Sequence, residues 1–235
     1  MEEKNISLKK TARLAGLLYF ILAITGFYGL MYVSLKTIVK GNAVATANKI
    51  ISNEFLFRTG IVAQLISVTT FLFLALVLYR LFKQVDAHKA RLLVALVAVQ
   101  VPIVYILETC RFTSLMILKG EILKTIAPEQ SPDFAMLLLK IYGYGIMTLE
   151  MFFGLWLIPF GQLVYKSKFI PRLFGILLLI AGAGYLIDSL TSMLFPGYRS
   201  YTMPVAFTFS GIGELSMILW LLIKGIKNKT AVTEN

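Results

Sequence analysis

The sequence predicts an all-α integral membrane protein, a helical bundle with about six transmembrane helices. Three observations support this fold class: 58% of the 235 residues are hydrophobic, only 15% are charged, and the apolar residues are concentrated in long runs. Soluble domains are about 45–50% apolar and about 25% charged. Because one core of this size could not bury so much apolar surface, we expect lipid to cover it.

Six apolar stretches are long enough to cross a hydrocarbon core, which needs about 20 helical residues. They must be helical because backbone polar groups in lipid have to be bonded within the segment. The stretches are residues 14–35, 59–80, 91–118, 134–164, 171–195 and 202–223. The predicted domains are a cytoplasmic N-terminal segment (1–13), a transmembrane domain (14–225) and a cytoplasmic tail (226–235). The fourth stretch is overlong and is expected to tilt, to bend near Pro159 or to project from the membrane.

The connection between the first two stretches predicts a short outer interfacial helix near residues 42–56. Asn42 is a favoured residue at a helix N-terminus. The apolar residues that follow it at helical spacing are Val44, Ala47, Ile51 and Phe55. An amphipathic helix of this kind is expected to lie on the membrane surface.

The lysines and arginines predict the orientation. They form short tracts between the apolar stretches, fourteen on one side of the membrane and seven on the other. The side with more basic residues is normally cytoplasmic, so both termini are predicted to be inside. No tract combines basic residues with exposed stacking aromatics, which argues against nucleic acid as the reason for the net charge of +11. Membrane lipids are the expected partners, and the oligomeric state stays open.

Ionisable groups inside the stretches are the candidates for function. A charge near the middle of the bilayer costs about 2.5–3.5 kcal/mol, so it normally faces protein or water. Glu108 and Arg111 are three residues apart on a helix and are expected to pair. Counting residues from the span ends places the remaining groups between the outer level and the midplane. The candidate ligand-binding residues are Glu108, Arg111, Glu150, Asp188, Glu214, Tyr185, Arg58 and Lys140.

Six short stretches give the chain a family resemblance. They are TARLAGLLY (11–19), GNAVATAN (41–48), LFRTG (56–60), FGLWLIP (153–159), GAGYLIDS (182–189) and GELS (213–216). Together they resemble the bacterial membrane family labelled domain of unknown function 4386, over residues 11–225. The resemblance implies a multi-helix protein of the prokaryotic cytoplasmic membrane, and it implies no biochemical activity.

Three functions stay open at this point. The first is binding of a small molecule, lipid or ion in an outward-facing polar pocket, as a carrier or sensor. The second is an intramembrane enzyme that uses two carboxylates as acid and base on lipid-like substrates. The third is a structural or accessory subunit whose charges only fasten helices together. An enzyme is the less expected class because no catalytic motif appears. We assign no catalytic residue, and with one histidine and one cysteine we expect no metal site and no cofactor.

Overall fold

The protein is described here by a computed structural model that covers residues 2–226, with side chains from residue 8 onward. Within this range the chain is helical and has no strand. The α-helices are α1 (Glu2–Gly26), α2 (Val33–Thr37), α3 (Ala43–Ser52), α4 (Glu54–Phe82), α5 (Ala87–Leu118), α6 (Ser131–Ser167), α7 (Arg172–Leu194) and α8 (Arg199–Ile223). A π-helical segment, Phe27–Tyr32, joins α1 to α2, and short 3-10 turns, Pro128–Gln130 and Pro196–Tyr198, precede α6 and α8.

Within residues 2–226, six helical segments are long and apolar enough to cross a membrane, which confirms the predicted fold class. They are Leu8–Thr37, Glu54–Phe82, Ala87–Leu118, Pro128–Ser167, Arg172–Leu194 and Pro196–Ile223. The fourth is the longest, as expected, and α6 continues as a helix through Pro159. Helix α1 already begins at Glu2, inside the segment 1–13 that was assigned to the cytoplasm. Of the predicted tail 226–235, all but Ile226 lies outside the described residues.

The chain divides into two compact units. Unit 1 contains the residues up to Phe20, Phe71–Val99 and the residues from Thr148 onward. Unit 2 contains Ile21–Thr70 and Gln100–Met147.

Aromatic rings and close-packed glycines hold unit 1 together. The indole of Trp156 stacks on Phe160, with ring centroids 5.4 Å apart, and meets the edge of Phe71 at 4.8 Å. Glycines allow α6 and α7 to approach closely, because a Cβ atom at Gly175 would lie 2.7 Å from the Gly161 carbonyl oxygen. Two turns further along, Gly154 and Gly182 make the same kind of contact. Small residues at such contacts are the usual means of packing helices in membranes.

Unit 2 is built around an apolar cluster to which α3 contributes. The buried members of this cluster are Val33, Ile50, Phe57, Ile61, Leu115 and Leu139. Helix α3 begins where the Asn42 side chain accepts a hydrogen bond from the Ala45 N–H, at 2.8 Å. It ends at Ser52, earlier than expected, so Phe55 belongs to α4. Val44 and Ile51 are exposed on α3, whereas Ala47 is buried, so only part of the predicted apolar stripe faces outward.

Candidate functional site

The candidate residues fall into two sets, one in each unit. Unit 1 contains Glu150, Tyr185, Asp188 and Glu214, and unit 2 contains Arg58, Glu108, Arg111 and Lys140. The two sets differ in how many of their polar atoms have hydrogen-bond partners.

In unit 1, Glu214 connects three helices. The Tyr19 hydroxyl donates a 2.6 Å hydrogen bond to one oxygen of its carboxyl group, and the Tyr185 hydroxyl donates a 3.4 Å bond to the other. Tyr19 is buried and meets the edge of the Trp156 ring at 5.9 Å, so its orientation is fixed by packing. Within the described residues no lysine or arginine forms an ion pair with Glu214. Both carboxyl oxygens therefore depend on tyrosines from α1 and α7.

Two further carboxyl groups lie where α6, α7 and the first turns of α8 meet. Glu150 on α6 accepts a 3.4 Å bond from the Arg199 guanidinium. Asp188 on α7 is buried and accepts a 2.5 Å hydrogen bond from the Thr202 hydroxyl. Glu150 and Asp188 are close enough to interact electrostatically, and Tyr185 interacts with Glu150 as well as with Glu214. Arg199 is the single ion-pair partner that the described residues offer to these carboxyl groups.

Three polar atoms in this region are buried and lack a hydrogen-bond partner within the described residues. They are Oε2 of Glu150, Nε of Arg199 and Oγ of Ser192. Ser192 is 5% exposed and lies one turn after Asp188, on the same face of α7. Buried polar atoms are nearly always hydrogen-bonded, so an acceptor and two donors left unused beside two carboxyl groups indicate an external partner. We call Glu150, Asp188, Ser192, Arg199 and Thr202 the unit 1 polar site.

In unit 2, Glu108 and Arg111 form the pair that their spacing predicts. Their charged groups are 3.2 Å apart, and each side chain is only 2% exposed. The guanidinium lies over the rings of Phe57 and Tyr142, 5.0 Å from each centroid. It also donates a 3.4 Å bond to the carbonyl oxygen of Gly29, which belongs to the π-helical segment. Arg111 is thus fully enclosed by protein groups, as expected of a structural ion pair.

The other two candidates of unit 2 are at its surface. Arg58 pairs with Glu54 on the preceding turn of α4 at 2.7 Å, and Lys119 contacts the same carboxylate at 3.2 Å. Lys140 is exposed on α6. Neither side chain belongs to a buried polar cluster.

The family described as Domain of unknown function (DUF4386) matches residues 14–225 of the chain. The chain belongs to this family. A 92-residue stretch of this DUF4386 protein is 38% identical to an uncharacterized protein of Archaeoglobus fulgidus. That stretch covers 38% of the chain and 52% of the archaeal protein, so the similarity spans about half of that relative. No solved structure matches the DUF4386 protein.

Several groups that the fold of this DUF4386 protein brings to the candidate residues are not evident from the sequence. In the sequence, Arg199 reads only as a basic residue between two apolar stretches, and no motif marks Thr202 or Tyr19. The one available signal was the distribution of residue types, since Tyr19 and Thr202 are polar residues within apolar stretches. Within residues 2–226 no group of three or more histidine, cysteine, aspartate or glutamate side chains could hold a metal ion.

Proposed function

We propose that this membrane protein binds a small solute bearing an ammonium group and a hydrogen-bond acceptor at the unit 1 polar site. The observation that supports the proposal is the set of buried, unpartnered atoms beside two carboxyl groups. Oε2 of Glu150 is free to accept a bond from an ammonium group, with Asp188 adding negative potential nearby. Nε of Arg199 and Oγ of Ser192 are free to donate to a carboxylate, carbonyl or phosphate oxygen. Such complementarity is the usual basis of solute recognition.

Glu214 has a different role in this proposal. Because two tyrosine hydroxyls already engage both of its oxygens, it fastens α1, α7 and α8 beneath the site rather than contacting the solute. Tyr185, whose hydroxyl donates to Glu214, belongs to this structural set.

We further propose that both termini are cytoplasmic and that the membrane is the cytoplasmic membrane of a prokaryote. The bias of lysines and arginines supports this orientation. It would open the unit 1 polar site toward the outside, because Arg199 begins α8 at the end opposite the C-terminus. Single cysteines introduced at Gly197 and Gln84, with Cys110 replaced by alanine, should react with an impermeant maleimide from outside and inside, respectively. The reverse pattern would contradict the orientation.

The experiment for the binding proposal is a thermal-shift screen of the full-length protein in lipid nanodiscs. The probes are glycine and phosphoethanolamine, compared with acetate and ethylamine, which each carry only half of the pattern. We expect at least one zwitterion to raise the melting temperature of the wild type, and Glu150→Gln to abolish the shift. The matched control is Glu121→Gln, because Glu121 is half exposed and pairs with Lys119 in unit 2.

Two results decide against the proposal. One is that neither a soluble zwitterion nor phosphatidylethanolamine stabilises the wild type, and the other is that Glu150→Gln responds as the wild type does. The ammonium group could come from a soluble solute or from a lipid headgroup, and nanodiscs of phosphatidylethanolamine and of phosphatidylglycerol distinguish these two sources. If the lipid headgroup is the ligand, only the phosphatidylethanolamine nanodiscs raise the melting temperature, and a soluble zwitterion does not raise it further in them.

A further inference from the structure

A groove in unit 2 follows the exposed face of α4 and α5. Its volume is about 260 Å³ and its walls are mostly apolar. The lining residues are Val62, Leu65, Ile66, Thr69, Thr70 and Tyr105. Both helices are long and apolar enough to cross a membrane, so the groove lies on a surface that hydrocarbon covers rather than water.

The polar groups of the groove are deep in the spanning segment. Thr69 is near the middle of α4, about 20 Å from each end at roughly 1.5 Å per residue. Tyr105 is 43% exposed, and its hydroxyl lies 2.8 Å from the Thr69 hydroxyl. Tyrosines exposed to lipid are usually found near the membrane–water interface, where the hydroxyl reaches polar groups. A tyrosine hydroxyl on the lipid-facing side near mid-span is therefore a feature to explain.

The hydrogen atoms in this pair can be assigned. Thr69 donates its single hydroxyl hydrogen to the backbone carbonyl of Leu65, at 2.7 Å. The bond between the two hydroxyls must then run from Tyr105 to Thr69. This leaves the oxygen of Tyr105 able to accept a bond and without a hydrogen of its own to donate. The hydrocarbon around the groove supplies no donor.

We propose that this groove binds a long-chain neutral alcohol whose hydroxyl donates to the oxygen of Tyr105. The hydrocarbon chain of the ligand would cover Val62, Leu65 and Ile66. A ligand with a charged headgroup is excluded, because binding in this groove would place the charge in the middle of the bilayer at a large cost in free energy. An ester or ether group is excluded because it has no hydrogen to donate. This site belongs to unit 2 and is independent of the solute site in unit 1.

The test compares two probes that differ only in the donor. Binding of geranylgeraniol and of its methyl ether to the detergent-solubilised full-length protein is measured by native mass spectrometry. We expect the wild type to bind the alcohol about fivefold more tightly than the ether, the preference that one net hydrogen bond provides. Tyr105→Phe alone would leave the Thr69 oxygen free to accept the same bond, so the double variant Tyr105→Phe/Thr69→Val is used, and it should bind both probes equally. The matched control Tyr144→Phe, which removes the hydroxyl of an exposed tyrosine on α6, should keep the preference.

A second variant tests the location. Ile66→Trp places a larger side chain in the groove and keeps both hydroxyl groups, and it should weaken the binding of both probes by tenfold or more. Equal binding of the two probes to the wild type, or no binding of either, would overturn the proposal. So would an unchanged preference in the Tyr105→Phe/Thr69→Val double variant, or undiminished binding to Ile66→Trp, since either would place the alcohol elsewhere.

Discussion

Replacing Arg111 by methionine should be one of the most destabilising single changes in unit 2. Methionine keeps an unbranched side chain of similar reach but removes the charge, so the Glu108 carboxylate stays buried without its partner. Breaking a buried ion pair on one side costs about 3–5 kcal/mol. The change also removes two cation–π contacts, with Phe57 and Tyr142, each worth about 1–2 kcal/mol when desolvated. These terms overlap, and we expect the free energy of unfolding to fall by about 4 kcal/mol.

The same substitution at Arg58 is the matched control. Arg58 also pairs with a glutamate on its own helix, but its side chain is 36% exposed. An exposed pair contributes about 0–1 kcal/mol, so Arg58→Met should cost little. The double variant Glu108→Leu/Arg111→Met should be more stable than Arg111→Met alone, because it leaves no unpaired charge in the interior.

The assay is unfolding in mixed micelles, in which rising mole fractions of dodecyl sulfate are followed by circular dichroism. The difference in free energy of unfolding is read against the wild type for each variant. The reasoning is refuted if Arg111→Met and Arg58→Met agree within about 1 kcal/mol, the upper worth of an exposed pair. It is also refuted if removing Glu108 in addition makes the protein still less stable.

Three further predictions use the same unfolding assay. Gly175→Ala should be destabilised by about 1–3 kcal/mol, because its Cβ would press on the α6 backbone at 2.7 Å. Alanine at Gly143, where no atom lies within 4 Å, should be tolerated. Equal effects of the two substitutions would contradict the close contact at Gly175. Tyr19→Phe should cost about 1–3 kcal/mol, because Glu214 loses its shorter hydrogen bond; an unchanged midpoint would show that the bond contributes nothing. In the folded protein the pKa of Asp86 is lowered, chiefly because its carboxylate accepts a hydrogen bond from the Lys89 backbone N–H. The Asp86 carboxylate therefore stabilises the fold at pH values above its unfolded pKa, which is near 4. This stabilisation is lost as the pH falls through the lower pKa of the folded state. Asp86→Asn should therefore unfold with a weaker dependence on pH below about 5, and an unchanged pH profile would refute this.

The sequence is informative about structure that depends on local spacing. Six apolar stretches correspond to the six helical segments of residues 2–226 that are able to span a membrane, because length and composition alone decide whether a segment can lie in lipid. The Glu108–Arg111 pair was predictable because three residues on a helix place both side chains on one face.

The candidate site depends on contacts that spacing does not encode. Glu150 finds its partner in Arg199, 49 residues away, and Glu214 finds Tyr19, 195 residues away. Such pairs require the packing of several helices, which one sequence does not specify. The π-helical segment Phe27–Tyr32 was not anticipated either, since nothing in its residues distinguishes it from α-helix.

The unpartnered hydroxyl of Ser192 allows the most direct test of solute binding. The measurement is the affinity of the stabilising zwitterion for the wild type and for Ser192→Ala, by isothermal titration calorimetry in nanodiscs. Because this hydroxyl has no hydrogen-bond partner among the described residues, its removal should leave the unfolding midpoint unchanged or slightly raised. We expect the affinity nevertheless to fall by about tenfold, as loss of a hydrogen bond to a charged ligand group would produce. An unchanged affinity in Ser192→Ala would contradict the placement of the solute at the unit 1 polar site.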